Sequence, residues 1–140
     1  SEMNEEDLRE PGSHPREPFG EPPDPAVMTL IQKASSLKAE GNALHSQKQY
    51  DQACCKYLMA QEHVMNVSHP GALDLWKSCW LNLASCHLQL LRYDEVIRAC
   101  NEVVRVDPQN VKALYRRAIS YRELAVFASM NGRLEEELTN

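Results

Sequence analysis

Five hydrogen-bond-donating side chains of this 140-residue sequence could together bind an anion, because they fall at corresponding heights of what the sequence predicts to be successive helical hairpins. Lysine, arginine and asparagine all carry N–H donors, and no carboxylate within the set would neutralise them. A terminal peptide carboxylate suits such a set, because charge-assisted hydrogen bonds are about twice as strong as neutral ones and a guanidinium can bind both carboxylate oxygens. The candidate residues for this chemistry are Lys38, Asn42, Asn82, Lys112 and Arg116.

Four of the candidates form two pairs with a separation of four residues. Residues so spaced share one face of an α-helix, so Lys38 should lie beside Asn42, and Lys112 beside Arg116. Asn82 is less ordinary, because asparagine favours caps and turns but here stands within an apolar helical stretch. A single lysine at helical spacing is most often an exposed surface residue. The hypothesis therefore depends on all five side chains converging.

The elements that would position these residues repeat along the chain. Tyr50 and Tyr93 each begin a helical stretch after a polar break, and Phe127 lies 34 residues after Tyr93. A period near 34 residues is typical of paired antiparallel helices that stack into a superhelix. Small residues fall where such helices approach most closely, at Gly41, Ala53, Ala60 and Ala118.

Residues 34 to 127 resemble the tetratricopeptide repeat (TPR) family. The resemblance is carried by LKAEGNALHSQKQYDQACCKYLMA, WLNLASCHLQLLRYDEVIRACNEVVRVDPQN and VKALYRRAISYREL. Within the family the chain is similar to the carboxylate-clamp type, including chloroplast outer-envelope chaperone-docking receptors and immunophilin-type co-chaperones. The motif of that type asks for Lys-x-x-x-Asn in the first repeat, Asn in the second and Lys-x-x-x-Arg in the third, and all five positions match.

The resemblance implies a role for each matching residue. Lys38, Asn42 and Asn82 would hold the main-chain carboxylate and last side chain of a peptide, and Lys112 and Arg116 would contact an acidic side chain and the backbone upstream. Terminal carboxylate capture is a known mode of peptide recognition. The implied partners are the Glu-Glu-Val-Asp C-terminal tails of cytosolic heat-shock chaperones of the seventy- and ninety-kilodalton classes, which implies a cytoplasmic location or the cytosolic face of an organelle.

Further residues are candidates for lining the same groove. Leu81, Ser85 and Ile119 could contact the ligand residue upstream of the terminal acids. Trp76 and Trp80 are four residues apart and could form an aromatic shelf for a peptide, but packing of the second hairpin against the first is the favoured interpretation.

The expected fold is all-α, with antiparallel helical hairpins stacked as a TPR superhelix of about three repeats. We expect helices over residues 26–47, 50–66, 73–91, 93–106 and 111–124, with helical structure interrupted at residues 69–71. The third repeat should be degenerate, because Met130 and Glu137 replace the alanines of the family and Asn131-Gly132 interrupts the helical pattern. Repeat arrays need a polar capping element, and none follows, so we expect a fragment or an unusual ending.

Two regions differ in composition. Residues 1–25 hold eight acidic residues, two arginines and six of the eight prolines, which predicts an acidic disordered segment. Residues 26–140 form the expected TPR domain and carry a net charge of +1. This near-neutral domain lacks the basic stripe expected for nucleic-acid binding. No apolar run approaches the roughly 20 residues of a membrane span, so membrane insertion is not expected.

Cysteine and histidine usage argues against other chemistry. An odd number of cysteines inside amphipathic stretches predicts buried free thiols in a reducing compartment. Neither metal-ligand spacing nor a catalytic or phosphate-binding motif is present, so we expect no cofactor, no metal and no enzymatic activity. Two alternatives stay open. The first is a scaffold that binds a partner through its convex or apolar faces. The second, which the sequence favours least, is an enzyme that uses thiol chemistry at Cys54-Cys55. The five cysteines are Cys54, Cys55, Cys79, Cys86 and Cys100.

Overall fold

The computed structural model describes residue 22 and residues 24–140, and this part of the chain folds into five α-helices without a β-strand. The predicted disordered segment, 1–25, lies almost entirely outside the described residues. The helices are α1 Pro25–Ser46, α2 Tyr50–Val64, α3 Pro70–Gln89, α4 Tyr93–Val106 and α5 Val111–Thr139.

The two complete hairpins, α1 with α2 and α3 with α4, have the same three-residue turn. Lys48 and Leu91 occupy equivalent positions with positive φ angles of 62° and 58°. The backbone amides of Gln49 and Arg92 then donate to carbonyls five residues earlier, at 2.9 and 2.8 Å. A residue in the left-handed region followed by such a bond is a common helix ending. The shared turn confirms that the chain is built from repeats.

Packing order places alternate helices on opposite sides of the molecule. Each helix packs against the next, and α1 also contacts α3, as α3 contacts α5. Within the described part of the chain, no Cα atom of α2 lies within 8 Å of a Cα atom of α4. The helices α1, α3 and α5 therefore line the inner surface of a superhelix, and α2 and α4 form its outer layer.

Small residues bring the helices of the first hairpin together, as the sequence predicted. Ala53 and Ala60 of α2 are fully buried. Gly41 of α1 faces the ring of Tyr57, and a Cβ atom on this glycine would lie 2.6 Å from Tyr57 Cε1. The close approach confirms the predicted packing at three of the four small residues.

Trp80 joins the two halves of the core. One buried cluster lies among α1, α2 and α3, another among α3, α4 and α5, and Trp80 packs against both. Trp76 packs against the first cluster and meets Trp80 edge to face at a centroid distance of 6.0 Å. The core interpretation of this tryptophan pair is confirmed.

Helix α3 begins earlier than predicted. The break expected at residues 69–71 is the helix start itself, because the His69 ring accepts a hydrogen bond from the Gly71 amide at 2.9 Å and Pro70 is the first helical residue. Proline suits this position, since its missing N–H would have no partner inside the helix. The residues that suggested a break form a helix cap.

The degenerate third repeat takes the form of one long helix. Helix α5 continues through Asn131-Gly132, where the sequence suggested an interruption, and no second helix folds back on it in the described residues. Ala118, predicted to lie in a close helix contact, is exposed for this reason. Every residue from 125 to 140 is exposed. None of the described helices has the length and apolarity needed to cross a membrane.

The prediction of buried cysteines is wrong at one position. Cys55 is exposed, whereas the other four thiols are buried, and all five cysteines are free. The adjacent Cys54 lies on the inward face of α2, so its neighbour along the helix projects outward. The two adjacent cysteines therefore have different environments.

Candidate functional site

A hydrogen bond between two asparagines joins α1 and α3 on the inner surface. Asn82 Nδ2 donates to Asn42 Oδ1 at 3.2 Å. Asn42 is exposed and Asn82 is half-buried. An amide nitrogen carries two hydrogens, so both N–H groups of Asn42 and one of Asn82 remain available to a ligand. The pair presents donors at the junction between the two repeats.

A third residue, which the sequence analysis missed, holds this pair from the outer layer. The Tyr57 hydroxyl of α2 donates to Asn42 Oδ1 at 2.7 Å. Tyr57 is only 1% exposed. Burial raises the pKa of this phenol, so it stays protonated and able to donate. The available signal was a hydroxyl-bearing aromatic residue in the outer helix opposite Gly41.

Lys38 lies on the inner surface one helical turn before Asn42. It is half-buried, and the positive charge of its ammonium group lowers the pKa of the Cys79 thiol of α3. Burial raises the pKa of Cys79 to about 11, and the charge of Lys38 opposes that rise. Lys38 shares the face of α1 that carries Asn42, because the two residues are four apart, and Cys79 precedes Asn82 by three residues on α3.

Arg116 of α5 contacts α3 beside Asn82. Its Nη1 atom donates to the Leu81 carbonyl oxygen of α3 at 2.8 Å, one residue before Asn82. The guanidinium keeps further N–H groups for a ligand, because it carries five donors. Lys112 lies one turn earlier on α5 and is exposed. The structure therefore brings Asn42, Asn82 and Arg116 together around α3. Lys38 and Lys112 lie one helical turn before Asn42 and Arg116, and no hydrogen bond of the described residues joins them to this group.

The residues expected to line the groove are partly accessible. Leu81, Ser85 and Ile119 are all half-buried. Ser85 Oγ lies 3.0 Å from Nε2 of His45, which again links α1 to α3. His45 was not among the expected lining residues, although it follows Asn42 by three positions and therefore shares its helix face.

Among the described residues, the cationic groups at the site have no carboxylate partner. The ion pairs of the described residues join other side chains, for example Lys56 with Glu40 and Arg98 with Glu95. Neither Lys38, Lys112 nor Arg116 has a carboxylate within ion-pair distance in that part of the chain. Their positive charge is thus available to an anionic ligand.

The described residues contain no cluster of three or more potential metal ligands. A hydrogen bond with Cys86 lowers the pKa of Cys54 and raises that of Cys86. Both thiols are buried in the core cluster of the first three helices. The neighbouring Cys55 is exposed, so Cys54 and Cys55 do not form a shared thiol site.

The fold and inner surface define a helical-repeat protein of stacked antiparallel hairpins. No family model matches the chain. It is 30% identical to the C-terminal TPR-containing domain of a Plasmodium falciparum FK506-binding protein, with a TM-score of 0.61 over 67% of each chain. A multi-domain immunophilin from Arabidopsis thaliana superposes with a TM-score of 0.64 at 29% identity, over 81% of this chain and 49% of that one. The chain belongs to the tetratricopeptide repeat family.

The chain is also similar to parts of longer curated proteins. The chain is 42% identical over 99 residues to Outer envelope protein 61 of Arabidopsis thaliana. It is 33% identical over 109 residues to the peptidyl-prolyl cis-trans isomerase FKBP42 of the same organism. These alignments cover 69% and 72% of this chain but only 18% and 30% of the relatives. The chain therefore corresponds to one part of each longer protein.

Proposed function

We propose that this TPR domain binds the C-terminal Glu-Glu-Val-Asp peptide of heat-shock chaperones of the seventy- and ninety-kilodalton classes through a carboxylate clamp. It would then act as a co-chaperone adaptor, an interaction module without catalytic activity of its own. Such a ligand is available in the cytoplasm and at the cytosolic face of organelles. Membership of the family supports a role in protein interaction.

The observation that carries this proposal is the convergence on α3 of N–H donors that no carboxylate of the described residues neutralises. Asn42 of α1 contacts Asn82 of α3, and Arg116 of α5 contacts the preceding residue of α3, Leu81. An acidic peptide would bring the missing negative charges, and the bonds formed would be charge-assisted. Binding would require little rearrangement, because Arg116 and Asn42 are already held by hydrogen bonds to the protein.

The residues divide naturally between two parts of the ligand. Lys38, Asn42 and Asn82 lie where α1 meets α3 and would hold the terminal carboxylate and the last side chain. Lys112 and Arg116 lie on α5 and would contact the upstream acidic side chain and the peptide backbone. Ser85 and Ile119 would line the space between these groups. The half-buried position of Arg116 makes it the more constrained of the two α5 cations.

Calorimetric titration with the Glu-Glu-Val-Asp peptide tests this function. The free acid should bind with a micromolar dissociation constant, about −7 to −8 kcal/mol. The C-terminal amide should bind more weakly, because it lacks the terminal negative charge. Affinity for the acid should fall as salt is added, since the contacts are electrostatic and partly exposed. Equal binding of acid and amide would contradict the clamp.

Variants locate the binding in the groove. Lys112→Ala and Arg116→Ala should each weaken binding about tenfold or more, the usual effect of losing a hydrogen bond to a charged group. Arg98→Ala is the matched control, because Arg98 is an exposed arginine of α4 that pairs with Glu95 on the outer layer. Unchanged affinity in either groove variant, or an equal loss in the control, would exclude the proposed site.

A second candidate function has its own observation. The second half of α5 exposes Phe127, Met130, Leu134 and Leu138 at helical spacing. Exposed apolar stripes of this kind are typical of protein interaction surfaces. A scaffold that binds another partner through this stripe would not require recognition of chaperone tails. The same titration separates the two functions, because a scaffold of this type predicts no preference for the acid peptide.

A further inference from the structure

The Asn42 side-chain oxygen accepts two hydrogen bonds from within the protein. Tyr57 donates its hydroxyl hydrogen at 2.7 Å and Asn82 donates from Nδ2 at 3.2 Å. A carbonyl oxygen has two lone pairs, so the acceptor capacity of this amide is fully used. The opposite end of the amide, Nδ2, therefore faces away from both donors.

The Tyr57 side chain is fixed in position. It is one of the largest fully buried side chains of the core, and its ring lies against the backbone of α1 at Gly41. Only glycine leaves room for this contact, because any Cβ there would overlap the ring. A buried ring with one well-placed hydroxyl is a rigid hydrogen-bond donor, unlike an exposed side chain that samples several rotamers.

We propose that Tyr57 is a positioning residue for the carboxylate site, and that its hydroxyl holds the Asn42 amide with its N–H groups toward the groove. This inference rests on the function proposed above and extends the site to a residue of the outer layer. Tyr57 itself does not touch the ligand. It acts by preventing the amide from turning its oxygen toward the incoming carboxylate.

The reversed amide shows why the hydroxyl matters. If Asn42 and Asn82 both turned, they could still bond to each other. The Tyr57 hydroxyl hydrogen would then lose its acceptor, because Asn42 is its sole hydrogen-bond partner among the described residues. An unsatisfied buried donor is costly, so Tyr57 favours the observed orientation. Phenylalanine at this position would remove that preference and leave the ring packing intact.

Titration of Tyr57→Phe with the acid peptide and with its C-terminal amide tests the inference. Binding of the acid should weaken about threefold to tenfold, the effect of one ordinary hydrogen bond. Binding of the amide should change less, so the ratio of the two affinities should fall. Tyr93→Phe is the matched control, because it removes a hydroxyl at the start of α4 in the outer layer and should leave both affinities unchanged.

A double-mutant cycle distinguishes positioning from a general structural effect. In the Asn42→Ala background there is no amide to orient, so Tyr57→Phe should have no further effect on acid binding. Asn42 side-chain amide signals in nitrogen-15 spectra, assigned by their loss in Asn42→Ala, should shift in Tyr57→Phe without ligand. Thermal melting of each variant reports any change in stability separately.

The possible outcomes separate this inference from the proposed function. If the unaltered protein prefers the acid peptide but Tyr57→Phe retains the full preference, the positioning role is wrong and the clamp stands. The same conclusion follows if Tyr57→Phe weakens acid binding equally in the unaltered protein and in the Asn42→Ala background. If the unaltered protein shows no preference for the acid, the proposed function fails. If Tyr57→Phe reduces the preference for the acid peptide only when the Asn42 side chain is present, both the positioning role and the clamp are supported.

Discussion

At the scale of single residues, Gly41 connects packing to the candidate site. The position tolerates no side chain, because an added Cβ would lie 2.6 Å from Cε1 and 2.9 Å from Cδ1 of Tyr57. The same close approach lets the Tyr57 hydroxyl reach Asn42, the next residue of α1. A glycine in the middle of a helix is ordinarily destabilising. Here that cost is offset by the contact between α1 and α2.

The glycine variants Gly41→Ala and Gly132→Ala should therefore have opposite effects on stability. Gly41→Ala should lower the free energy of unfolding by about 1–3 kcal/mol, since the overlap with a rigid ring exceeds the gain in helix propensity. Gly132→Ala should raise it by up to about 1 kcal/mol, because nothing lies within 4 Å of an added Cβ. Urea denaturation of both variants provides the measurement. Stabilisation by Gly41→Ala would show that the ring can move aside.

At the scale of secondary-structure elements, α5 consists of two unlike halves. Its first half contributes buried Ala113 and Ser120 and the half-buried Arg116 to the repeat stack. Its second half has no buried residue from 125 onward. Isolated helical segments of this length are marginal in water, because tertiary packing supplies most helix stability. The site should depend on the first half alone.

Removal of residues 127–140 should consequently leave peptide binding intact. The deletion spares all five candidate clamp residues and no buried side chain is lost. We expect the peptide affinity to stay within about twofold and the helical circular dichroism signal to fall. Lys112→Ala made in the shortened chain should still weaken binding, which would show that the groove is the same. A tenfold loss on deletion alone would mean that the second half of α5 contributes to the site.

At the scale of the whole molecule, the burial of the cysteine thiols depends on the packing of both repeats. Four cysteines are buried, distributed over α2, α3 and α4, and Cys55 is exposed. Burial raises the pKa of Cys79 and of Cys100, and a hydrogen bond with Cys54 raises that of Cys86. These groups stay protonated at neutral pH, and the thiolate is the reactive form. Cys54 has a lowered pKa but is only 7% exposed.

Thiol labelling in the folded protein should accordingly modify one cysteine rapidly. A chromogenic disulfide reagent at about pH 8 should react first with Cys55, because this thiol is exposed. The other four should react only as the protein opens, and all five should react at once in guanidinium. Cys55→Ser should abolish the rapid phase. Two or more rapid thiols in the folded protein would show that the repeats separate readily.

Much of this protein follows from local sequence rules. The bounds of α4 agree with the prediction at both ends, because a tyrosine-aspartate start and an aspartate-proline end are local signals. The small residues of the first hairpin and the spacing of the five donors are likewise readable from sequence, since helical periodicity fixes which residues share a face. These features depend on residues close together in the chain.

Tertiary structure decided the features that depend on distant residues. Tyr57 reaches Asn42 across 15 positions, and Arg116 reaches the Leu81 carbonyl across 35. Such contacts require the packed hairpins, so no local pattern reveals them. The continuation of α5 also depends on packing: a hairpin forms only when burying a second helix offsets the cost of ordering it. Spacing therefore indicated which residues could form the site, and packing determined which side chains hold them in place.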